Sequence, residues 1–420
     1  MREELTFLEE LEFRGLAHQL TDRDGLDERL QQGPITLYNG FDPTADSLHV
    51  GSLLPILLLR RFQQAGHTPI ALVGGATGLI GDPGGKAQER SLNPMDTVAD
   101  WSEKIRAQLE PFLDYSASGN PARIVNNFDW LGDIRAIDLL REVGKHFPVP
   151  YMLAKDSVAS RLETGISFTE FSYMILQAYD FMALHQSHRC ELQTGGSDQW
   201  GNITAGSDLI RRTSGGKVYG LTCPLVTKAD GTKFGKTESG TVWLDPQRTT
   251  PYQFYQFWLG TDDGSIVSFL KFFSFKSRDE IEELAAGVEA EAEKREAQRQ
   301  LASEMTTLVH GADATRKAER ISAALFYGDL AELALDEIEM GFGDVPSHAM
   351  TQVELGLVDL LVEAGVSGSK RQAREDVKSG AIYINGERCA ELGRVIRPAD
   401  GLHGKYVILR RGKNNYFLIS

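Results

Sequence analysis

Cysteine is scarce in this chain of 420 residues: Cys190, Cys223 and Cys389 stand far apart and form no C-x-x-C pair. That spacing excludes a disulfide framework and a zinc site, and it fits a reducing, cytoplasmic compartment. No apolar run approaches the ~20 residues that cross a bilayer. The opening Met1-Arg2-Glu3-Glu4-Leu5 is acidic and amphipathic, unlike an export signal, so no membrane partner is expected. Positive charge is in deficit, with 44 Lys and Arg against 59 Asp and Glu. A net charge of −15 argues against nucleic acid spread over the whole surface. Internal repeats and low-complexity tracts are absent as well. Both standard glycine loops are missing. Gly75, Gly78 and Gly81 give G-x-x-G-x-x-G where a dinucleotide fold needs G-x-G-x-x-G. In the phosphate-loop register, Ile80 holds the first glycine place and Ala87 the hydroxyl place.

What is present centres on residues 35–65. Ile35-Thr36-Leu37-Tyr38 reads as a buried strand closed by Asn39-Gly40, and Leu53 to Ala65 reads as a helix stopped by Gly66. Between them lie Asp42-Pro43-Thr44 and His49-Val50-Gly51-Ser52. Asp46 or Ser47 is the expected N-cap of a helix starting near Gly51–Ser52, with Pro55 in its first turn. A strand that feeds a helix through small residues leaves backbone N–H groups free for an anion. Gly51 admits a flat ligand, and His49 stands where it can donate to one.

A chain of this length calls for two or three domains. Residues 1–33 read as an amphipathic helix and connector. Pro69–Val73 is a second strand, Ile124–Asn126 a third and Leu192-Gln193 a fourth, with helices between, which gives a doubly wound parallel sheet with ligands at its carboxyl edge. Ser167-Phe168-Thr169-Glu170 opens a helix through Ala183, on which Tyr173, Gln177 and Asp180 share one face. Polar groups aligned in so apolar a helix face either solvent or a ligand. Gly195–Asn202 is a second polar strand-to-helix turn. Lys228–Gly240 is a glycine-punctuated loop with lysines, read as mobile. The stretch 246–335 reads as a helical domain, 336–350 as a linker and 351–420 as a small α+β module. From Val366 to Ser420 eleven Lys and Arg face five Asp and Glu, a basic module on an acidic body, as a selective RNA binder has.

Taken together and in order, Asp42-Pro43-Thr44, His49-Val50-Gly51-Ser52, Val73-Gly74-Gly75-Ala76-Thr77-Gly78, Gly195-Gly196-Ser197-Asp198-Gln199-Trp200 and Lys233-Phe234-Gly235-Lys236-Thr237 resemble the bacterial tyrosyl-tRNA synthetases of class I. His-Val-Gly-Ser stands at that class's HIGH signature, with Ser52 in place of the second histidine, and Lys-Phe-Gly-Lys-Thr at its KMSKS signature. Ser367–Arg374 and Ile384-Asn385-Gly386 resemble the S4-type RNA-binding domain. The resemblance implies a homodimer that makes tyrosyl-adenylate from L-tyrosine and ATP, with Mg²⁺ on the triphosphate, and then charges tRNA(Tyr). It implies an α/β Rossmann-type catalytic domain over 1–245, followed by the helical domain and the S4-like module. It places Tyr38 and Asp180 at the tyrosine phenol, and Asp82, Tyr173 and Gln177 at the ammonium, with Gln199 beside the amino acid and the adenylate. Asp42, His49, Gly51, Ser52, Gly196 and Asp198 line ATP. Thr44, Lys86, Arg90, Lys233, Lys236 and Thr237 serve the departing pyrophosphate, and Lys370, Arg371, Arg374, Arg410 and Arg411 the RNA. Three other readings stand beside this one. They are a tryptophanyl enzyme of the same class, an inactive synthetase-like RNA-binding protein, and a nicotinamide-dependent oxidoreductase, the last already disfavoured by the glycine spacing.

Overall fold

Six strands form the main sheet of the computed structural model, which describes residues 5–84, 92–162, 165–227, 234–237, 240–327, 329–413 and 415–420. They are β1 (Gln19–Leu20), β2 (Thr36–Phe41), β3 (Thr68–Val73), β4 (Arg123–Asn126), β5 (Cys190–Gly196) and β6 (Tyr219–Cys223). Their spatial order is β1-β6-β5-β2-β3-β4. All neighbours run parallel except β1, which closes the β6 edge antiparallel. The near-unbroken apolar strands explain the choice: β3 is buried from Pro69 to Val73 and β6 throughout, as strands covered on both faces must be. Strand β2 has β3 on one side and β5 on the other, so chain order reverses there. That switch point opens a crevice beyond the carboxyl ends of the strands.

The helix after β2, Leu53–Gln64, buries Leu53, Leu54, Ile56, Leu57, Leu58, Leu59 and Phe62, which leaves it almost no polar face. Phe168–His188 begins at Ser167, whose hydroxyl accepts from the Glu170 N–H, and ends at Arg189 in the left-handed conformation. Among the described residues of the first 33 there are two helices, Phe7–Phe13 and Arg23–Gln31, with β1 between them, where one helix was expected.

By internal packing, Met1–Arg248 and Thr261–Ala297 form one unit, and Thr249–Gly260 and Gln298–Ser420 a second. Two short strands, β7 (Lys236–Thr237) and β8 (Gly240–Thr241), pair in the first unit. In the second unit, β9 (Ser347–His348), β11 (Ile382–Ile384), β12 (Glu387–Cys389), β14 (Val407–Arg411) and β15 (Asn415–Ile419) build a five-stranded sheet, and β10 (Leu355–Gly356) pairs with β13 (Val395–Ile396). One face of that sheet packs Ile382, Leu409 and Ile419 against Leu357, Leu361 and Val377 of two short helices. The other packs Ile408 and Leu418 against Ile321, Ile338 and Phe342. The stretch 336–350, expected as a linker, is therefore folded: helix Leu335–Phe342 buries Ile338 and Phe342, and β9 joins β15. Asp336, Glu337 and Glu339 mask that apolar stripe in the sequence.

Candidate active site

The helix after β2 is capped differently from the expectation. Neither Asp46 nor Ser47 caps it. His49 does, its Nδ1 accepting the Gly51 N–H at 3.0 Å, and a single 3₁₀ turn, Val50–Ser52, precedes the α-helix. A side chain at residue 51 would bring its Cβ to 2.8 Å of the imidazole, so the cap requires glycine. The ring is open to solvent on one side and desolvated on the other, which lowers its pKa and keeps it neutral at pH 7. With Nδ1 accepting, the proton sits on Nε2 and is available to a ligand.

At the carboxyl ends of β2, β3 and β4 one hydrogen-bonded chain runs across the crevice. The Tyr173 hydroxyl donates to Asp42 Oδ2 at 2.6 Å, and the Thr77 hydroxyl to Asp42 Oδ1 at 2.7 Å. Asn127 Nδ2 donates to Thr77 Oγ1 at 2.9 Å and to Asp180 Oδ2 at 3.0 Å, while Trp130 Nε1 donates to Asp180 Oδ1 at 2.8 Å. Gly74 permits this, because a Cβ there would lie 1.9 Å from Asp42 Oδ1. Asn127 and Asp180 are buried, at 0% and 2% exposure. Burial pushes the Asp180 carboxyl up to about 7 against the two donors that hold it down.

Tyr38 is 1% exposed and its hydroxyl has no hydrogen-bond partner. Burial first, and the Asp180 charge second, raise its pKa. An unmet buried hydroxyl costs about 1–3 kcal/mol, which a ligand group reaching it would recover. At the far end, Gln199 Nε2 donates to Asp82 Oδ2 at 2.6 Å, and Asn202 orients Gln199 by donating to its Oε1 at 3.0 Å.

Gln177 is half-buried on the helix of Tyr173 and Asp180, and Gly196 half-buried at the end of β5. Thr44 and Asp198 are exposed. The Ser52 side chain makes no cap hydrogen bond. Lys86, Arg90 and Lys233 lie outside the described residues; Lys236 and Thr237 are described through their backbone, which pairs with β8. In the second unit Lys370 pairs with Asp359 at 2.6 Å and Arg371 with Glu375 at 3.3 Å, and Arg374 is exposed. Arg410 stacks on Tyr383, 3.9 Å from the ring centroid. Arg411 differs from the expectation: it bonds Asp376 at 3.0 Å and the Val366 carbonyl at 3.0 Å, so its guanidinium braces the fold. The sequence reading missed Asn127 and Trp130, and assigned Thr77 no role. The Asn126-Asn127 doublet at the end of β4 was the available signal.

A family described as tRNA synthetases class I (W and Y) matches residues 30–327, and one described as the tyrosine–tRNA ligase SYY-like C-terminal domain matches 337–419. The chain is 60% identical over 416 residues to a tyrosine–tRNA ligase of Geobacillus kaustophilus, covering 99% of each chain. It is 61% identical over 413 residues to tyrosine–tRNA ligase 1 of Bacillus cereus, covering 98% of this chain and 99% of that one. Among solved structures, a C-terminally truncated mitochondrial tyrosyl-tRNA synthetase of Aspergillus nidulans superposes with a TM-score of 0.71 at 30% identity, over 77% of this chain and 95% of that one. On sequence and fold together, the chain belongs to the tyrosyl-tRNA synthetase family of the class I aminoacyl-tRNA synthetases.

Proposed function

We infer that this enzyme joins L-tyrosine to the α-phosphate of ATP, releasing pyrophosphate, and then transfers the tyrosyl group to the 3′ end of tRNA(Tyr). The observation that carries the choice of amino acid is the buried pair at the switch point. Tyr38 presents an unpartnered hydroxyl and Asp180 a carboxyl, both beneath the crevice, which is the complement of a phenol O–H. An indole offers no oxygen to that pair.

The chemistry needs no general base. The substrate carboxylate is ionised at neutral pH; its oxygen attacks the α-phosphorus as the bond to the pyrophosphate oxygen breaks. The protein's task is to hold two anions in line and to meet charge as it grows on the phosphate oxygens. Tyr173, Gln177 and Asp82 take the ammonium. The neutral His49 offers Nε2–H to ATP, and the lysine loop and Thr44 serve the pyrophosphate. Among the described residues no cluster of three or more His, Cys, Asp or Glu could cage a metal. Mg²⁺ enters with ATP, as the Mg–ATP substrate.

The basic helix Lys370–Lys378 supplies the RNA contacts, with Lys370, Arg371 and Arg374 on its surface and Arg410 nearby in the same unit. Two copies associate through the exposed apolar residues Phe128, Ile137, Leu140, Val149 and Phe168 of the first unit. Among the described residues no helix is long and apolar enough to cross a membrane; a cytoplasmic location is part of the proposal and agrees with free thiols at Cys190, Cys223 and Cys389. Pyrophosphate exchange into ATP, run with each amino acid in turn and without tRNA, tests the assignment. Exchange should depend on tyrosine; equal exchange with tryptophan, or none with any amino acid, would refute it.

A further inference from the structure

Asp46 sits inside the signature stretch yet caps no helix. Its Oδ1 accepts from Arg248 Nη1 at 2.5 Å, and the Arg248 guanidinium lies over the Trp243 ring, 3.7 Å from the centroid. Trp243 in turn faces His49 in an isolated antiparallel bridge. The Val50 N–H donates to the Val242 carbonyl and the Leu244 N–H to the Leu48 carbonyl, each at 2.9 Å. The indole and imidazole meet near edge-to-face, their centroids 6.3 Å apart. The histidine is thus fixed from two directions, by the Gly51 N–H at Nδ1 and by the tryptophan ring. The segment carrying that ring follows closely on β8.

The Arg248–Asp46 pair is half-exposed, at 35% and 41%, and a pair so placed contributes little as an isolated ion pair. Its geometry instead orients the guanidinium across the indole face, where cation and ring attract, and ties residues 242–248 back to the segment that precedes His49. A solvent-exposed imidazole with one hydrogen bond would otherwise turn among rotamers. We propose that Trp243, Arg248 and Asp46 are positioning residues that hold the His49 imidazole for ATP during adenylate formation. This rests on the assignment of His49 to ATP.

Steady-state pyrophosphate exchange and equilibrium dialysis of tyrosine on the full chain test it. Displacing one positioned group by about an ångström lowers rates up to roughly a hundredfold. Trp243→Leu should therefore lower kcat/KM for ATP by roughly ten- to a hundredfold and leave the tyrosine Kd within about twofold. Trp243→Phe, which keeps a ring beneath the guanidinium, should retain most of the wild-type kcat/KM, and Arg248→Ala should lose about as much as Trp243→Leu. In a His49→Ala background Trp243→Leu should add nothing, since the group it positions is gone. Equal losses in both backgrounds, an unchanged kcat/KM for ATP, or tyrosine affinity falling in parallel would each overturn the proposal. The wild-type enzyme in the same assay isolates the functional reading: tyrosine-dependent exchange by the wild type with an indifferent Trp243→Leu refutes the positioning role alone.

Discussion

Tyrosine binding should depend on pH through Asp180, with a sign fixed by which partner holds the proton. The carboxyl is 2% exposed, and burial lifts its pKa to about 7 in the unliganded protein. If the phenol donates its proton to this group, only the ionised form binds. Apparent affinity then falls by the ionised fraction, about tenfold from pH 8 to pH 6 and another tenfold by pH 5. The substrate's ammonium and carboxylate keep their charges across that range. Equilibrium dialysis of tyrosine between pH 5.5 and 8.5 measures the slope. Phenylalanine, with no hydroxyl to donate, should show none of it, and Asp180→Asn should flatten the tyrosine curve. Affinity that stays level, or strengthens toward acid, would show that Asp180 binds as the protonated donor and would refute this polarity. The same shift acts on stability. A folded-state pKa raised from 3.8 to about 7 favours the fold fully below pH ~4, and that contribution is lost as pH rises through 7. At 1.36 kcal/mol per pH unit the loss amounts to about 4 kcal/mol at most. The difference in unfolding free energy between wild type and Asp180→Asn should therefore change across pH 4–7 and level off above it.

Five further outcomes are expected. Tyr38→Phe removes a buried hydroxyl that has no partner, so it should raise the stability of the free enzyme by about 1 kcal/mol while narrowing the tyrosine/phenylalanine ratio of kcat/KM; an unchanged ratio would remove Tyr38 from the phenol site. Ser52→Ala should weaken activation by less than about 1.5 kcal/mol, the net worth of one neutral hydrogen bond, and a loss of several kcal/mol in exchange kinetics would show that Ser52 performs the work of the signature's second histidine. Lys370→Glu with Arg374→Glu should leave pyrophosphate exchange intact, impair tRNA charging and reduce the salt slope of tRNA binding by roughly 1.5–2, whereas Arg411→Ala should chiefly lower stability, by about 2 kcal/mol on denaturant unfolding, because it strips Asp376 of its ion pair. Ile137→Asp with Leu140→Asp should halve the mass measured by light scattering; an unchanged mass would place the dimer contact elsewhere.

Much of this fold was legible because parallel strands buried on both faces have to be apolar. Thr36–Phe41 and Thr68–Val73 announce themselves, and β-α-β order then dictates a switch point. Residues whose side chains end beyond strand tips were legible too, since Asp42, Tyr173, Asp180 and Gln199 are polar groups where apolar ones would be cheapest. Three features were not. The cap at His49 depends on an imidazole bonding two residues ahead, a contact that propensity assigns to Asp or Ser. Asn127 and Trp130 act on Asp180 across some fifty residues of chain, a separation that no local pattern encodes. Arg411 looks in sequence like one more cation of a basic tail. Only the packing of β14 against the Lys370–Lys378 helix brings it to Asp376.

The hydrogen-bonded chain from Tyr173 through Asp42, Thr77 and Asn127 to Asp180 bears on how a site this polar can discriminate. Each member is satisfied by its neighbours except where the ligand belongs. Asp180 accepts from two fixed donors and keeps capacity for a third, and Tyr38 has a hydroxyl with no partner at all. A ligand lacking the phenol oxygen leaves the Tyr38 hydroxyl unmet and the spare capacity of Asp180 unused, and the surrounding network cannot swing in, because Asn127 is already committed to Thr77, Asp180 and the Ala76 N–H. Rigidity of the network is therefore what converts one missing oxygen into a large penalty, a rule for which tyrosyl-tRNA synthetases are the standard case. In this reading the same rigidity ties Tyr173, assigned to the ammonium, and Asp42, assigned to ATP, to Asp180, assigned to the phenol. A substitution at Thr77, which touches neither end of the substrate in this reading, should then loosen both.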